Sequence, residues 1–135
     1  MSNQSEALYE EWLRKAEEDV LSCEAVLKEG AASTGCFLAQ QIAEKSLKAL
    51  LVAHHAAFPK AHDLLALETF VQPLVAGIVE VHEDLVRLNR YYVETRYPGD
   101  YPAFERKECQ EAYEAALRVQ QFVLRVIASI SPARG

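Results

Sequence analysis

The stretch Ala39 to Leu51, AQQIAEKSLKALL, decides the fold, because it places a short polar stripe on an otherwise apolar helix. The polar residues are spaced i, i+3, i+4 and i+7, which puts them on one face. A helix that is apolar around most of its circumference belongs at the centre of a bundle. The stripe therefore either faces solvent, with an ion pair at i, i+4, or lines a cleft or an interface. Its members are Gln41, Glu44, Lys45 and Lys48.

Helical periodicity continues on both sides of this stretch, and no strand or hairpin pattern occurs. We predict an all-α fold, an up-and-down bundle of four long helices with one short additional helix. The four long helices are predicted from Ser5 to Glu29 with Gly30 as the stop, from Ser33 to about Ala56 before Pro59, from Pro73 to about Thr95, and from about Phe104 to Ile130. The short helix is predicted to start at His62 or Asp63.

Composition limits the class of protein. With 135 residues, 50% of them hydrophobic, residues 1–135 form one domain with a core over about residues 5–131. The formal net charge of −6 argues against a broad nucleic-acid surface, which needs a basic excess. The polar, acidic N-terminus and the lack of an 18-residue apolar run predict no membrane span and a cytoplasmic location.

The three cysteines are widely separated, odd in number and surrounded by apolar residues. None forms a CxxC pair of the kind that binds zinc. We interpret Cys23, Cys36 and Cys109 as small buried hydrophobic residues.

Two charged residues fall on apolar helix stripes. Asp19 lies among the inward positions of the first helix, where a carboxylate is costly unless it is paired. It either reaches solvent at the stripe's edge or pairs with Arg96, Lys45 or His62. Arg96 follows Tyr92 by four residues, so it binds a carboxylate structurally or points into a pocket for phosphate or carboxylate. We predict that Arg96 is within salt-bridge reach of Asp19 or Glu44.

The usual signatures of catalysis and metal binding are missing from the sequence. There is no GxGxxG, Walker loop, HExxH or GxSxG. His54 and His55 are adjacent, so they do not make an i, i+4 metal pair, and His82 lies on a charged surface. His62 and Asp63 stand at a helix start, where such a pair more often caps than catalyses. We therefore predict no catalytic residue, no metal and no cofactor.

The order of these motifs resembles that of the HEPN domain, the higher eukaryotes and prokaryotes nucleotide-binding family. The resemblance spans residues 9 to about 127 and is carried by the ordered set rather than by any one motif. The set comprises Trp12, Ala16 and Asp19, the stretch AQQIAEKSLKALL, His62-Asp63-Leu64, Tyr92 with Arg96-Tyr97-Pro98, and Glu111 to Ala116 in the last helix.

This resemblance implies a four- to five-helix bundle, commonly a homodimer, often encoded beside a minimal nucleotidyltransferase as a pair like a toxin and its antitoxin. Some HEPN proteins are metal-independent ribonucleases with an R-x(4–6)-H motif. This chain departs from that pattern. Arg14 is followed by no histidine before His54, and the other arginines, from Arg87 onward, all follow His82, the last histidine. That mechanism needs a histidine as acid or base and an arginine that stabilises the developing charge. This sequence does not provide the two at the required spacing.

We therefore expect a non-catalytic nucleotide- or partner-binding module. The alternatives are a ribonuclease with a degenerate site and a structural dimeric adaptor. The predicted ligand-binding residues are Lys45, Lys48, His62, Tyr91, Arg96 and Tyr97, with cations for phosphate and tyrosines for a base. The predicted structural polar network is Asp19, Gln41, Glu44 and Asp63.

Overall fold

The computed structural model describes residues 2–92 and 104–130 of the chain, with side chains from residue 8 onward in those ranges. The helices are α1 (Ser2–Glu29), α2 (Ala32–Ala53), α3 (Leu64–Val71), α4 (His82–Asn89) and α5 (Arg106–Ile130), with a 3₁₀ helix (Ala76–Val81) before α4. All regular structure in this part of the chain is helical, which confirms the predicted all-α class. Over the same residues, none of the helices combines the length and hydropathy that a membrane span requires.

The chain reverses direction between α1 and α2, and α4 runs opposite to α5, as contacts between these helices show. The Cys23 thiol of α1 donates to the Gly35 carbonyl near the start of α2, 3.3 Å away, so the chain reverses between these helices. The α4 and α5 helices are also antiparallel, because ion pairs join early residues of one region to late residues of the other. These pairs are Glu80 with Arg125, Asp84 with Arg118, and Arg87 with Glu111.

The α2 helix is the centre of the bundle, as its apolar circumference predicts. It packs against α1, α5, α3 and α4. Most residues from 35 to 51 are buried, including polar ones such as Gln40 and Glu44. The periodicity of α1 is also confirmed in outline, since Ala16, Cys23 and Leu27 are in the core. Its surface therefore covers one side of α2.

The α2 helix ends three residues before the predicted Ala56. His55 adopts a left-handed backbone with φ of 58°. The Ala56 amide donates to the Leu51 carbonyl and the His55 amide to the Val52 carbonyl, which is the hydrogen-bond pattern of a Schellman motif. His54 and His55 are therefore in the terminating turn rather than inside α2. The turn sends the chain back over the helix toward His62.

The predicted long helix from Pro73 to about Thr95 is broken in the structure. Residues 76–81 are 3₁₀, and α4 occupies only His82–Asn89. Gly77 and the β-branched residues around it are poor formers of α-helix, so tertiary packing decides the conformation there. The buried stripe still includes Ile78, Val81, Leu85 and Leu88, whereas Leu74 is 43% exposed. Residues 93–95 lie outside the described ranges.

Two of the three cysteines form a disulfide, which corrects our interpretation of them as reduced hydrophobic residues. Cys36 in α2 is bonded to Cys109 in α5, across a sequence separation of 73. The Cys23 thiol stays free and buried, as predicted. Burial raises the pKa of this thiol to about 12, with the charges of Asp19 and Glu24 adding to the effect. Cys23 is therefore a protonated core residue, and the disulfide fixes the starts of α2 and α5 together.

Removing the disulfide should destabilise the fold strongly. For a loop of this length, chain-entropy arguments give about 4 kcal/mol. We expect the Cys36→Ala/Cys109→Ala double variant to lose that much free energy of unfolding in urea, against about 1 kcal/mol for the control Cys23→Ala. Alkylation of the unfolded, non-reduced protein should modify Cys23 alone. Modification of all three cysteines would contradict the disulfide.

Candidate functional site

The centre of the candidate site is the carboxylate of Glu44, which is only 4% exposed. Lys48 Nζ lies 2.8 Å and His62 Nδ1 2.9 Å from its Oε2 atom. The side-chain amides of Gln40 and Gln41 each donate to Oε1 at a distance of 3.4 Å. Gln41, Glu44 and Lys48 of the predicted stripe therefore form a hydrogen-bonded network. The i, i+4 pair of Glu44 and Lys48 is present, but it is buried rather than on the solvent-facing surface for which it was predicted.

The Glu44 carboxyl is ionised because its partners outweigh its burial. Burial by itself would raise the pKa of Glu44, but hydrogen bonds from Lys48 and His62, together with their charges, hold this pKa below its usual value of 4.5. An ionised carboxylate can only accept hydrogen bonds, so Nδ1 of His62 must carry the proton. Glu44 therefore sets the orientation and the tautomer of the imidazole.

Lys48 is shielded from solvent by aromatic rings and is only 8% exposed. Its ammonium lies 5.4 Å from the Trp12 ring centroid and 5.7 Å from that of Phe58. The two rings meet edge to face. A cation between aromatic faces and a carboxylate is satisfied where it is. Lys48 therefore stabilises the floor of the site.

Lys45 also has a carboxylate partner. Its Nζ lies 2.6 Å from Oδ2 of Asp19, with side chains 23% and 16% exposed. This contact realises one of the three pairings predicted for Asp19 and links α2 to α1. Asp19 and Lys45 form a separate ion pair beside the Glu44 network. Both lysines of the predicted cleft are thus neutralised by carboxylates.

The imidazole of His62 is the exposed part of the site, with 51% of its side chain accessible. Its ring stacks on Tyr92, with centroids 4.5 Å apart and an interplanar angle of 20°. Tyr92 in turn stacks on Phe37 of α2 at 6.4 Å. Aromatic contact on one side and the Glu44 hydrogen bond on the other hold the imidazole in place.

The backbone next to His62 is fixed by the cap of α3. Asp63 accepts hydrogen bonds from the Leu65 and Ala66 amides, so of the two predicted cap candidates, His62 and Asp63, it is Asp63 that caps α3. Asn89, at the end of α4, accepts from the Leu64 amide and donates to Asp63. The His62 carbonyl accepts from Gln40. These bonds tie the loop to α2 and α4.

The structure distributes the other predicted residues differently. Tyr91 is fully buried, with its hydroxyl 2.6 Å from Glu108 and its ring against Phe104. Burial raises the pKa of this hydroxyl, and the Glu108 contact adds to the increase. Tyr92, which we did not predict as a site residue, is the tyrosine against His62. Arg96 and Tyr97, with the predicted contacts of Arg96, lie outside the described residues.

A second pair of the same kind occurs where we predicted only a charged surface. His82 Nδ1 lies 2.8 Å and 3.0 Å from the two carboxylate oxygens of Glu68. Glu68 is buried and the His82 side chain is 43% exposed. Sequence reasoning missed this pair because its members lie on different elements, 14 residues apart. It differs from the His62 pair in having neither a lysine nor a stacked tyrosine among its described contacts.

Comparison with known proteins gives the family. The family model of the HEPN domain matches residues 9–126 of the sequence, almost the whole chain. The chain belongs to the HEPN family. This confirms the resemblance based on the ordered motifs, and the matched region contains every residue of the Glu44 network. Among curated proteins, no sequence matches significantly.

Two solved structures agree with the HEPN assignment. The protein TT1696 from Thermus thermophilus is 30% identical, with a TM-score of 0.79 over 87% of this chain and 96% of its own. The archaeal HEPN homologue ST0689 is 25% identical, with a TM-score of 0.73 over 88% of this chain and 97% of its own. The bundle therefore has the HEPN fold over the 87% to 88% of the chain that these structures cover.

Neutralising Glu44 should destabilise the HEPN bundle in a pH-dependent way. Glu44→Gln keeps the size of the side chain but leaves Lys48 buried without a counter-charge, which costs about 3 kcal/mol at pH 7. Because the folded pKa of Glu44 is depressed, its contribution is present above about pH 4.5 and is lost as the pH falls through the folded pKa. The stability difference between the two proteins should therefore shrink in acid.

Urea unfolding of both proteins between pH 7 and pH 3 measures this difference. Glu111→Gln is a matched control, since Glu111 is in an exposed ion pair with Arg87. That change should cost less than about 1 kcal/mol. Equal losses in the two variants at pH 7 would show that Glu44 is not a structural anchor.

Proposed function

We propose that this HEPN protein is a non-catalytic, nucleotide-binding module that works with a minimal nucleotidyltransferase in a toxin–antitoxin-like pair. The observation that carries the binding half is the exposed imidazole of His62, held between the buried Glu44 carboxylate and the Tyr92 ring. A rigid aromatic surface with a polar edge suits a nucleobase. In this proposal Arg96 and Tyr97, a few residues beyond Tyr92 in the sequence, complete the site by binding phosphate and base.

The roles of the lysines follow from their ion pairs. Lys48 is held by Glu44 and Lys45 by Asp19, both within 2.8 Å. Moving either ammonium onto a phosphate would leave a carboxylate partly buried without its counter-charge, which is costly. In the proposed site the lysines therefore support His62, and Arg96 is the main phosphate ligand.

The proposal that the protein is non-catalytic is supported by the sequence, which contains no R-x(4–6)-H motif.

One observation favours the alternative of a degenerate ribonuclease. A buried carboxylate that orients an exposed imidazole is the arrangement that general bases use. A cleavage assay on single-stranded RNA, with His62→Gln as the comparison, decides between them. Cleavage by the pure protein that disappears in His62→Gln would replace our proposal by the ribonuclease hypothesis.

Nucleotide binding should depend on His62 and Arg96. Using AMP as the probe in calorimetric titrations at pH 8, we expect His62→Ala to weaken binding about tenfold, the value of one lost good contact. Arg96→Ala should weaken it by at least as much, because it removes a charge-assisted hydrogen bond. His82→Ala is the matched control, since His82 is a similarly exposed histidine oriented by a buried glutamate, and it should bind AMP normally. Equal losses in the two histidine variants would place the ligand elsewhere.

The partner half is tested by assembly. The bundle is small, and HEPN domains commonly dimerise, so we propose a homodimer. Light scattering should give twice the chain mass for the protein alone. A minimal nucleotidyltransferase encoded by a neighbouring gene, purified separately, should then form a complex with it in size-exclusion chromatography. A monomer that elutes apart from that enzyme would leave the nucleotide-binding proposal standing without its partner.

A further inference from the structure

The atom of His62 that can meet a ligand is Nε2. The proton of the neutral ring is on Nδ1, which donates to Glu44, so Nε2 of the neutral ring is a hydrogen-bond acceptor. Among the residues that the structure describes, Nε2 has no hydrogen-bond partner. The side chain is half exposed, so this acceptor is accessible from solvent.

The acceptor is also held in a fixed direction. The hydrogen bond to Glu44 restrains one edge of the His62 ring, and stacking on Tyr92 restrains one face. Lys48 in turn holds the Glu44 carboxylate through their ion pair. The loop backbone is fixed by the hydrogen bond from Gln40 to the His62 carbonyl. A group that is already ordered loses little conformational entropy of its own when a ligand binds. The direction of Nε2 is therefore set before a ligand arrives.

The two lysines near His62 are already paired with carboxylates. Lys48 neutralises Glu44, and Lys45 neutralises Asp19. Within the described part of the site, no unpaired positive charge is left for an anion. A neutral hydrogen-bond donor is the group that the free acceptor fits.

We infer that the site recognises the exocyclic amino group of a nucleobase, such as that of adenine, through Nε2 of neutral His62. This rests on the proposed nucleotide-binding function and makes the base the source of specificity. An amino group donates to a lone pair, whereas a ring that has only hydrogen at that position does not. A ligand without the amino group cannot make this hydrogen bond and therefore binds less tightly.

Two nucleosides that differ only in the amino group test the inference. Adenosine carries it, and purine riboside has hydrogen in its place; neither has a phosphate. At pH 8 we expect adenosine to bind about tenfold more tightly than purine riboside. In His62→Ala the two should bind equally, because the acceptor is gone, while His82→Ala should keep the full ratio.

The possible outcomes separate this inference from the proposed function. Equal binding of adenosine and purine riboside at pH 8, alongside measurable binding of AMP, would overturn amino-group recognition and keep nucleotide binding. A preference for adenosine that survives in His62→Ala would assign the recognition to another residue and overturn the inference. Failure of AMP and both nucleosides to bind would overturn the proposed function and the inference with it.

Discussion

The structure depends on one buried carboxylate. Glu44 is on the helix that contacts most of the other helices, where an unpaired charge would be untenable. Its partners come from α2 itself and from the loop before α3, so satisfying it fixes the path of residues 54–62 over the bundle. The cap at Asp63 and the Asn89 bonds then follow from that path. The site is thus built by the same bonds that position the short helices.

The balance of charge explains which residue is left available. Each lysine of the stripe is paired within a hydrogen-bond distance, and Lys48 is enclosed by two aromatic rings as well. Desolvation offsets much of the attraction in such pairs, but removing one partner would leave a charge buried without its counter-charge. The imidazole of His62 is the polar group of the Glu44 network that remains half exposed. The exposed polar group of this network therefore belongs to the loop before α3, and the α2 helix holds it in place.

The sequence predicts the long helices well and the finer contacts poorly, for a physical reason. In α1, α2 and α5 the periodic pattern extends over 22 to 28 residues, so no alternative conformation buries the same stripe. Before α4 the apolar positions fit both 3₁₀ and α-helical turns, and packing selects between them. The disulfide was unpredictable because Cys36 and Cys109 meet only once α2 and α5 are in register.

The spacing of residues in the sequence also cannot tell whether the polar stripe of α2 faces solvent or a covering loop. Likewise, the direction of the chain after α4 decides that Tyr91 is buried and Tyr92 faces His62.

The two histidine–glutamate pairs show why the chemistry of a site cannot be inferred from a pair alone. His62 and His82 each place Nδ1 within 3.0 Å of a buried carboxylate, and both are about half exposed. His62 is stacked on Tyr92, and its glutamate is neutralised by Lys48, so the direction of that imidazole is fixed. The other pair lines an open groove of about 410 Å³ with Leu65, Thr69, Gln72 and Val79. The His82 ring has no aromatic neighbour among its described contacts, so its direction is less constrained. Preorganisation, rather than the presence of a histidine beside a glutamate, is what distinguishes the candidate site from the second pair.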